Sequence, residues 1–279
     1  LSGLAHVVWD GTAGLALLSA LLLAVGLVPG GFRATTVCVV LLAVAAIASV
    51  VAWRDPVSRF RGLERADLPT RGLLCLLPFM AIAGLAWDRV PPVFFDARAY
   101  HFAFPELWLV TGRIAPQTWS VHSWFPPGMS VLYGVGLATG FEPWANDANL
   151  LVGLCLVAAA FDFARRLFGT ATGLLAGTLV TALPLTLYAL ALPAADLGHG
   201  LFVFGSLACL MLRSTDDPGW LRRASLLAAG AVLTKYLGLM VPLAVGVVWI
   251  GAGPSSSGTR SRVRARMADA FRFAVPAAL

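Results

Sequence analysis

Long apolar blocks, each near the length of a bilayer-crossing helix, alternate with short basic stretches along the chain. About 20 helical residues cross the hydrocarbon core. Runs of that size occur at 11–30, 35–53, 72–90, 149–166, 171–192 and 196–213. The arginines between them orient the spans. Arg54, Arg59, Arg61, Arg65 and Arg71 fall in one loop, Arg165 and Arg166 in a second, Arg213, Arg222 and Arg223 in a third, and Arg260, Arg262, Arg264 and Arg266 in a fourth. The positive-inside rule puts all four loops on the cytoplasmic side. Parity then closes: the span at 72–90 delivers residues 91–148 to the outer face, 149–166 returns to Arg165, 171–192 goes out and 196–213 comes back. The pattern predicts an all-α, polytopic helical membrane protein.

Two blocks need a different reading. The run 127–141 is not expected to cross, because Glu142 and Asp147 beyond it bring no positive charge; it should lie on or dip into the membrane. The block 224–252 has arginine clusters at both ends and so needs an even number of crossings, yet it is short for two full spans at about 1.5 Å per residue. A pair of short helices resolves this, with Gly238 and Pro242 permitting a break and Lys235 near the turn or in a cavity. The alternative is one long tilted span.

Composition sharpens the class. Of 279 residues 59% are hydrophobic and 12% charged, against roughly 25% charged in soluble domains, which excludes an ordinary soluble protein. The net charge of +6 comes from 20 basic and 14 acidic residues, and every basic residue except Lys235 is arginine. Because those arginines cluster between apolar blocks, they read as topology signals and no nucleic-acid partner is expected. Cys38, Cys75, Cys155 and Cys209 lie in apolar stretches without paired spacing and read as packing residues. Leu1 in place of Met and the apolar ending AFRFAVPAAL suggest a longer parent chain. With no basic n-region and no small-residue cleavage site around it, the first block is expected to be a retained span.

The outer segment collects the versatile side chains Asp96, Arg98, His101, Glu106, Arg113 and His122. Within it, Ala97 to Leu109 mixes Phe102, Phe104, Leu107 and Trp108 with polar residues, as in juxtamembrane amphipathic helices, and Pro105 predicts a kink. Asp96 opens this stretch. As an N-cap its carboxylate would contribute about 1 kcal/mol; beside Tyr100 and His101 it could instead take a proton from an attacking hydroxyl while its neighbours bind polar substrate groups. Asp196, in LPAADLGHGLF, is expected on the same side, lining a cavity or pairing with a cation, with snorkelling to water as the alternative. Lys235 would stabilise an anion such as a phosphate, or pair with an Asp. Asp96, His101, Glu106 and His122 lack the three- or four-residue steps that superpose ligands on a helix, and no HExxH occurs, so no metal-ligand set is predicted. Asp162 is placed to pair with Arg165 and Arg166.

The ordered series FFDARAYHFAFPELWLVTGRI, HSWFPPGMSVLYG, FARRLFGTATGLLAGTLVTALP, AADLGHGLFVFGSLACL and AVLTKYLGL resembles the membrane glycosyltransferases of the GT-C superfamily, in the bacterial branch similar to protein mannosyltransferases and the lipid A aminoarabinose transferase. The similarity covers roughly residues 72–252. It implies a GT-C-like transmembrane bundle with a large outer loop of juxtamembrane helices after the third span. It also implies transfer of a sugar from a polyprenyl-phosphate carrier to a lipid, glycan or protein acceptor, on the outer side of a bacterial cytoplasmic membrane and with inversion. The family's catalytic acid is matched by Asp96, its later acid by Asp196, and its Thr-Lys step near the carrier phosphate by Thr234 and Lys235. Arg98, Tyr100, His101 and His122 are the accompanying substrate-binding candidates. Some relatives carry a basic residue ahead of the proline pair, where this chain has Trp124 and Phe125; His122 is the nearest substitute. No cofactor is required by the resemblance, and a divalent cation is left open.

The domain organisation that follows is an appended transmembrane hairpin and basic loop at 1–71, the catalytic region at 72–252 with its outer loop 91–148, and a basic loop with the start of a truncated span at 253–279. Acids and a lone lysine among helices also describe an ion-coupled transporter or flippase, the alternative reading. The lack of an internal repeat and the gathering of charges at the outer face count against it. A non-catalytic assembly subunit is a further class.

Overall fold

The computed structural model describes residues 2–53, 68–87, 94–141, 143–190, 192–212 and 219–251. Arg54, Arg59, Arg61, Arg65, Glu142, Arg213, the arginines of 260–266 and the truncated span expected at the C-terminal end lie outside the described residues. The described helices are α1 (Ser2–Gly26), α2 (Ala34–Trp53), α3 (Leu68–Trp87), α4 (Ala103–Thr111), α5 (Gly128–Thr139), α6 (Trp144–Phe168), α7 (Thr170–Ala182), α8 (Pro184–Leu190), α9 (Ala195–Met211), α10 (Gly219–Thr234) and α11 (Met240–Gly251). A π-helical turn, Ala97–Phe102, leads into α4, and 3-10 turns at Val121–Trp124 and Tyr236–Leu239 precede α5 and α11. No strand occurs among the described residues, and the all-α membrane class stands.

Length and apolarity together qualify Val8–Gly26 and Trp144–Phe168 as single membrane-crossing helices among the described residues; the apolar stretches Ala34–Ser49 of α2, Leu76–Ala86 of α3, Gly128–Thr139, Ala195–Met211 and Tyr236–Val245 are shorter. The block at 171–192 is not one straight span. It divides into α7 and α8, bent by 67°. The cause is local: Pro184 cannot donate a backbone hydrogen bond, and it drives Leu183 into the extended conformation seen there (φ −65°, ψ 122°). At 12 residues α5 is about 18 Å long, too short to cross. It does not lie on a surface either, since residues 128–136 are buried against protein. Its first residue, Gly128, lies so close to α10 that an added Cβ would stand 2.7 Å from Leu233 O. The block 224–252 is the expected pair of short helices, with Lys235 at the break. Gly238 folds the turn back onto the backbone of Ala231 and Val232, leaving no room for a side chain.

α9 and α10 form an antiparallel pair. Ser206 Oγ donates to Ala224 O (2.9 Å), Gly205 faces Leu227, and Asp196 meets Lys235. The register therefore brings the first turn of α9 to the residue just past α10. α1 packs on α10, α5 and α6, and its side chains reach into both ends of the bundle. At one end Trp9 Nε1 donates to Asp162 Oδ2 (2.8 Å), a fully buried carboxylate that also accepts from Arg165 (2.5 Å) and Arg166 (2.7 Å). Arg223 pairs with Asp10 at 2.7 Å, and the guanidiniums of Arg166 and Arg223 lie 5.2 and 5.1 Å from the Trp220 ring centroid. Arginines from two sequence loops are thus gathered at one end of α10. Lys235 stands at the other, roughly 17 Å away along the helix axis.

The Asp162 cluster generates a stability prediction. Asp162→Ala removes the shared acceptor of two guanidiniums and an indole and should lower the unfolding free energy by about 2–4 kcal/mol, measured as a lower Tm in detergent. Trp9→Phe should cost about 1 kcal/mol.

Candidate active site

The site is assembled where the π-helical turn, the Val121–Trp124 turn, the start of α5, the start of α9 and the α10–α11 break converge. They enclose a half-open cavity of about 280 Å³. Its polar lining includes Tyr100, His101, His122, Ser123, Ser130 and Lys235, and its apolar lining includes Phe104, Trp108, Phe125 and Pro126. Of the sequence candidates, Tyr100, His101, His122 and Lys235 line this cavity; Asp96, Arg98 and Asp196 do not.

The π-helical turn explains how two adjacent side chains, Tyr100 and His101, serve the same cavity. A π-turn widens the helix by one residue per turn and is often found at functional sites. It stands directly ahead of Pro105, which denies the carbonyl four residues earlier its usual α-helical donor. Asp96 precedes this turn with helical backbone angles (φ −63°, ψ −37°) and makes no capping bond, so the N-cap role is not taken. Its carboxylate acts instead on the electrostatics of the Tyr100 phenol. Burial first, then the neighbouring carboxylate of Asp96 and the field of Asp196, raise the Tyr100 pKa above its ordinary value. Both carboxylates therefore act on one phenol. The Tyr100 ring stacks on His122, with centroids 4.9 Å apart and planes 5° from parallel, and Phe125 meets both rings edge-on.

His101 is 4% exposed and shares a 2.8 Å hydrogen bond through Nδ1 with Ser130 Oγ. Burial, with a smaller contribution from Lys235, lowers its pKa to about 4 against the opposing pull of Asp196, so the imidazole is neutral at pH 7. Lys235 Nζ is 2.6 Å from Asp196 Oδ1, the internal pairing weighed from the sequence. The Thr234 hydroxyl donates to Gly230 O (2.7 Å) and is spent within its own helix rather than offered to a phosphate. Arg98 is exposed on the π-helical turn. Among the described residues no group of three or more His, Cys, Asp or Glu side chains is arranged to hold a metal ion, and the donor set does not fit one.

Several supporting residues escaped the sequence reading. Tyr133 and Asn149, both fully buried, form a polar clasp. The Tyr133 hydroxyl is 2.8 Å from Ala194 O and 3.1 Å from Asn149 Oδ1, and Asn149 Nδ2 reaches the carbonyls of Ala189 (2.5 Å) and Leu192 (2.9 Å). These carbonyls close α8 and lead into α9, so the clasp fixes the strand-like approach to Asp196. The Tyr133 ring also packs edge-on against His101 (5.8 Å), tying that approach to the π-helical turn. Tyr236 donates its hydroxyl to Trp124 O and joins the two 3-10 turns. The Trp108 indole is 2% exposed and its N–H has no hydrogen-bond partner. Such a donor costs about 1–3 kcal/mol, which an acceptor oxygen of a bound ligand would relieve.

Residues 131–265 match the family model of the dolichyl-phosphate-mannose-protein mannosyltransferases. The match supports a GT-C superfamily glycosyltransferase. It includes Asp196 and Lys235 and begins after Asp96, Tyr100, His101 and His122, so the two halves of the cavity wall differ in whether the family match reaches them. No curated protein and no solved structure matches the chain.

Two outcomes follow from the geometry. Tyr133→Phe keeps the ring and leaves the Ala194 carbonyl without its donor, and should destabilise the protein by about 1–3 kcal/mol in thermal unfolding; Asn149→Ala should cost at least as much. His101 binds a proton more readily in the unfolded chain, whose pKa is near 6.5, than in the folded one, where it is about 4. Stability should therefore hold above pH 6.5 and decline as pH falls from 6.5 towards 4. His101→Gln should flatten that part of the stability–pH curve.

Proposed function

We propose that the chain transfers a sugar from a polyprenyl-phosphate carrier to an acceptor hydroxyl on a lipid, glycan or protein, at the outer face of the cytoplasmic membrane. The observation that carries this reading is one cavity whose lining residues Lys235 and Tyr100 each have a carboxylate beside them, Asp196 and Asp96. Asp96 joins it through Tyr100, Lys235 lines it, and a glycosyltransferase family match includes the lysine. The size suits a small polar group, and the mixed lining offers hydrogen bonds from one wall and apolar contact from the other.

In the reaction, the acceptor oxygen attacks the anomeric carbon while the bond from that carbon to the phosphate oxygen breaks. The acceptor proton passes to the Asp96 carboxylate, which stands beside the Tyr100 phenol. The departing phosphate gains negative charge, and the Lys235 ammonium stabilises it. Attack from the face opposite the leaving group inverts the anomeric centre. The neutral His101 and its partner Ser130 offer uncharged hydrogen-bonding groups for sugar hydroxyls, and the stacked Tyr100–His122 pair supplies a flat apolar face for a sugar ring.

Sidedness is supported by the charge distribution. The arginine cluster and the cavity occupy opposite ends of α10, so a cytoplasmic arginine end puts the cavity on the outer side. The same separation argues against the transporter reading, whose functional charges belong near the middle of the spans.

The test is transfer from a panel of radiolabelled polyprenyl-phosphate sugars by purified protein in nanodiscs. Asp96→Asn should leave insertion and folding intact and reduce transfer by a factor of roughly 10² or more. Near-wild-type transfer by that variant would remove Asp96 from the chemistry.

A further inference from the structure

The charge on Lys235 is already spoken for. Its ammonium lies 2.6 Å from Asp196 Oδ1, and the two side chains are 34% and 69% exposed. An ion pair at the edge of a cavity is worth little net energy, because water or a ligand can replace either partner. Its geometry is nevertheless built in. The Lys235 N–H donates to Ala231 O (3.1 Å), and Lys235 O accepts from Gly238 N–H (2.8 Å), which fixes the lysine at the break. Asp196 follows the Ala194 carbonyl held by Tyr133 at 2.8 Å. Among the described residues that line the cavity, Lys235 carries the one fixed positive charge; the buried imidazole of His101 is neutral at pH 7, and the Thr234 hydroxyl donates its hydrogen bond to Gly230 O.

Resting on the reading that the cavity takes a polyprenyl phosphate, we infer that Asp196 is an internal competitor for the Lys235 ammonium rather than a contact for the substrate. It holds the lysine while the cavity is free of phosphate, yields it to the carrier, and recovers it as the spent carrier leaves. The charge change of the reaction gives this role its value. A sugar-linked phosphodiester carries one negative charge, whereas the phosphomonoester left after transfer carries about 1.5–2 at pH 7. A lysine that stabilises the leaving group therefore also holds the product more tightly than the donor. A carboxylate within hydrogen-bonding reach of that lysine offsets the excess without removing the cation. Asp196 is thus a positioning residue, acting through Lys235.

Binding of undecaprenyl phosphate to the full chain tests this without need of the sugar or the acceptor. The protein is placed in phosphatidylcholine nanodiscs, whose zwitterionic headgroups supply no net anionic competitor. Asp196→Asn should tighten the Kd by about twofold to fivefold, Asp196→Ser should do the same, and Asp196→Glu should bind as wild type does. Lys235→Ala should weaken binding, and adding Asp196→Asn to it should change nothing further. Unchanged or weaker binding by both neutral variants overturns the inference. So does tightening that survives in the Lys235→Ala background, since the carboxylate would then be repelling the phosphate directly. Equal binding by wild type and Lys235→Ala is a separate failure, which removes the phosphate reading of the cavity and the inference together.

Discussion

The antiparallel register of α9 against α10 is the constraint on which the site depends. One helix starts where the other ends, so an acid in a first turn and a lysine just past a last turn meet although 39 positions separate them in the chain. Small residues along the seam make the register close. Gly205 receives Leu227, and Gly230 receives Phe202 and Ala16. Larger side chains there would push the helices apart, and the 2.6 Å contact between Lys235 and Asp196 would be the first to open. The Tyr133–Asn149 clasp then sets the approach to α9, and the tight turn at Gly238 sets the exit from α10.

Polarity along the bundle follows from the same arrangement. Asp162, Arg165, Arg166, Trp220, Arg223 and Asp10 form a paired, largely satisfied cluster at one end. The other end leaves its groups half-paired: an ion pair open to ligand, a phenol in the field of two carboxylates, and an indole N–H with no partner. Satisfied charges stabilise, whereas groups left short of partners are the ones that can bind. The contrast between the two ends locates chemistry more sharply than any single residue does.

Much of this was legible from residue order. Arginine spacing and apolar length gave the helical class, and arginine clusters at both ends of 224–252, with Gly238 inside it, pointed to the break between α10 and α11 beside which Lys235 stands. Asp162 was readable because its partners lie three and four residues on, within one helix. Long-range partners were not. Nothing local shows that Trp9 bonds to Asp162, 153 positions away, or that Tyr133 reaches Ala194. The π-helical turn that aims Tyr100 and His101 together was also hidden, because Pro105 predicts a disturbance without specifying its form. The straight span expected over 171–192 failed at Pro184, whose effect on Leu183 outweighed the apolar pattern.

The central claim is that the cavity and the arginine cluster face opposite sides of the membrane, with the cavity outside. Single cysteines at Arg98 and Tyr236, both exposed at the cavity end, and at Arg222, exposed at the arginine end, report this directly in a background lacking the native cysteines. A membrane-impermeant maleimide applied to intact cells should label positions 98 and 236, and should reach 222 after permeabilisation. Labelling of 222 in intact cells, with 98 and 236 protected until the membrane is opened, would contradict the account.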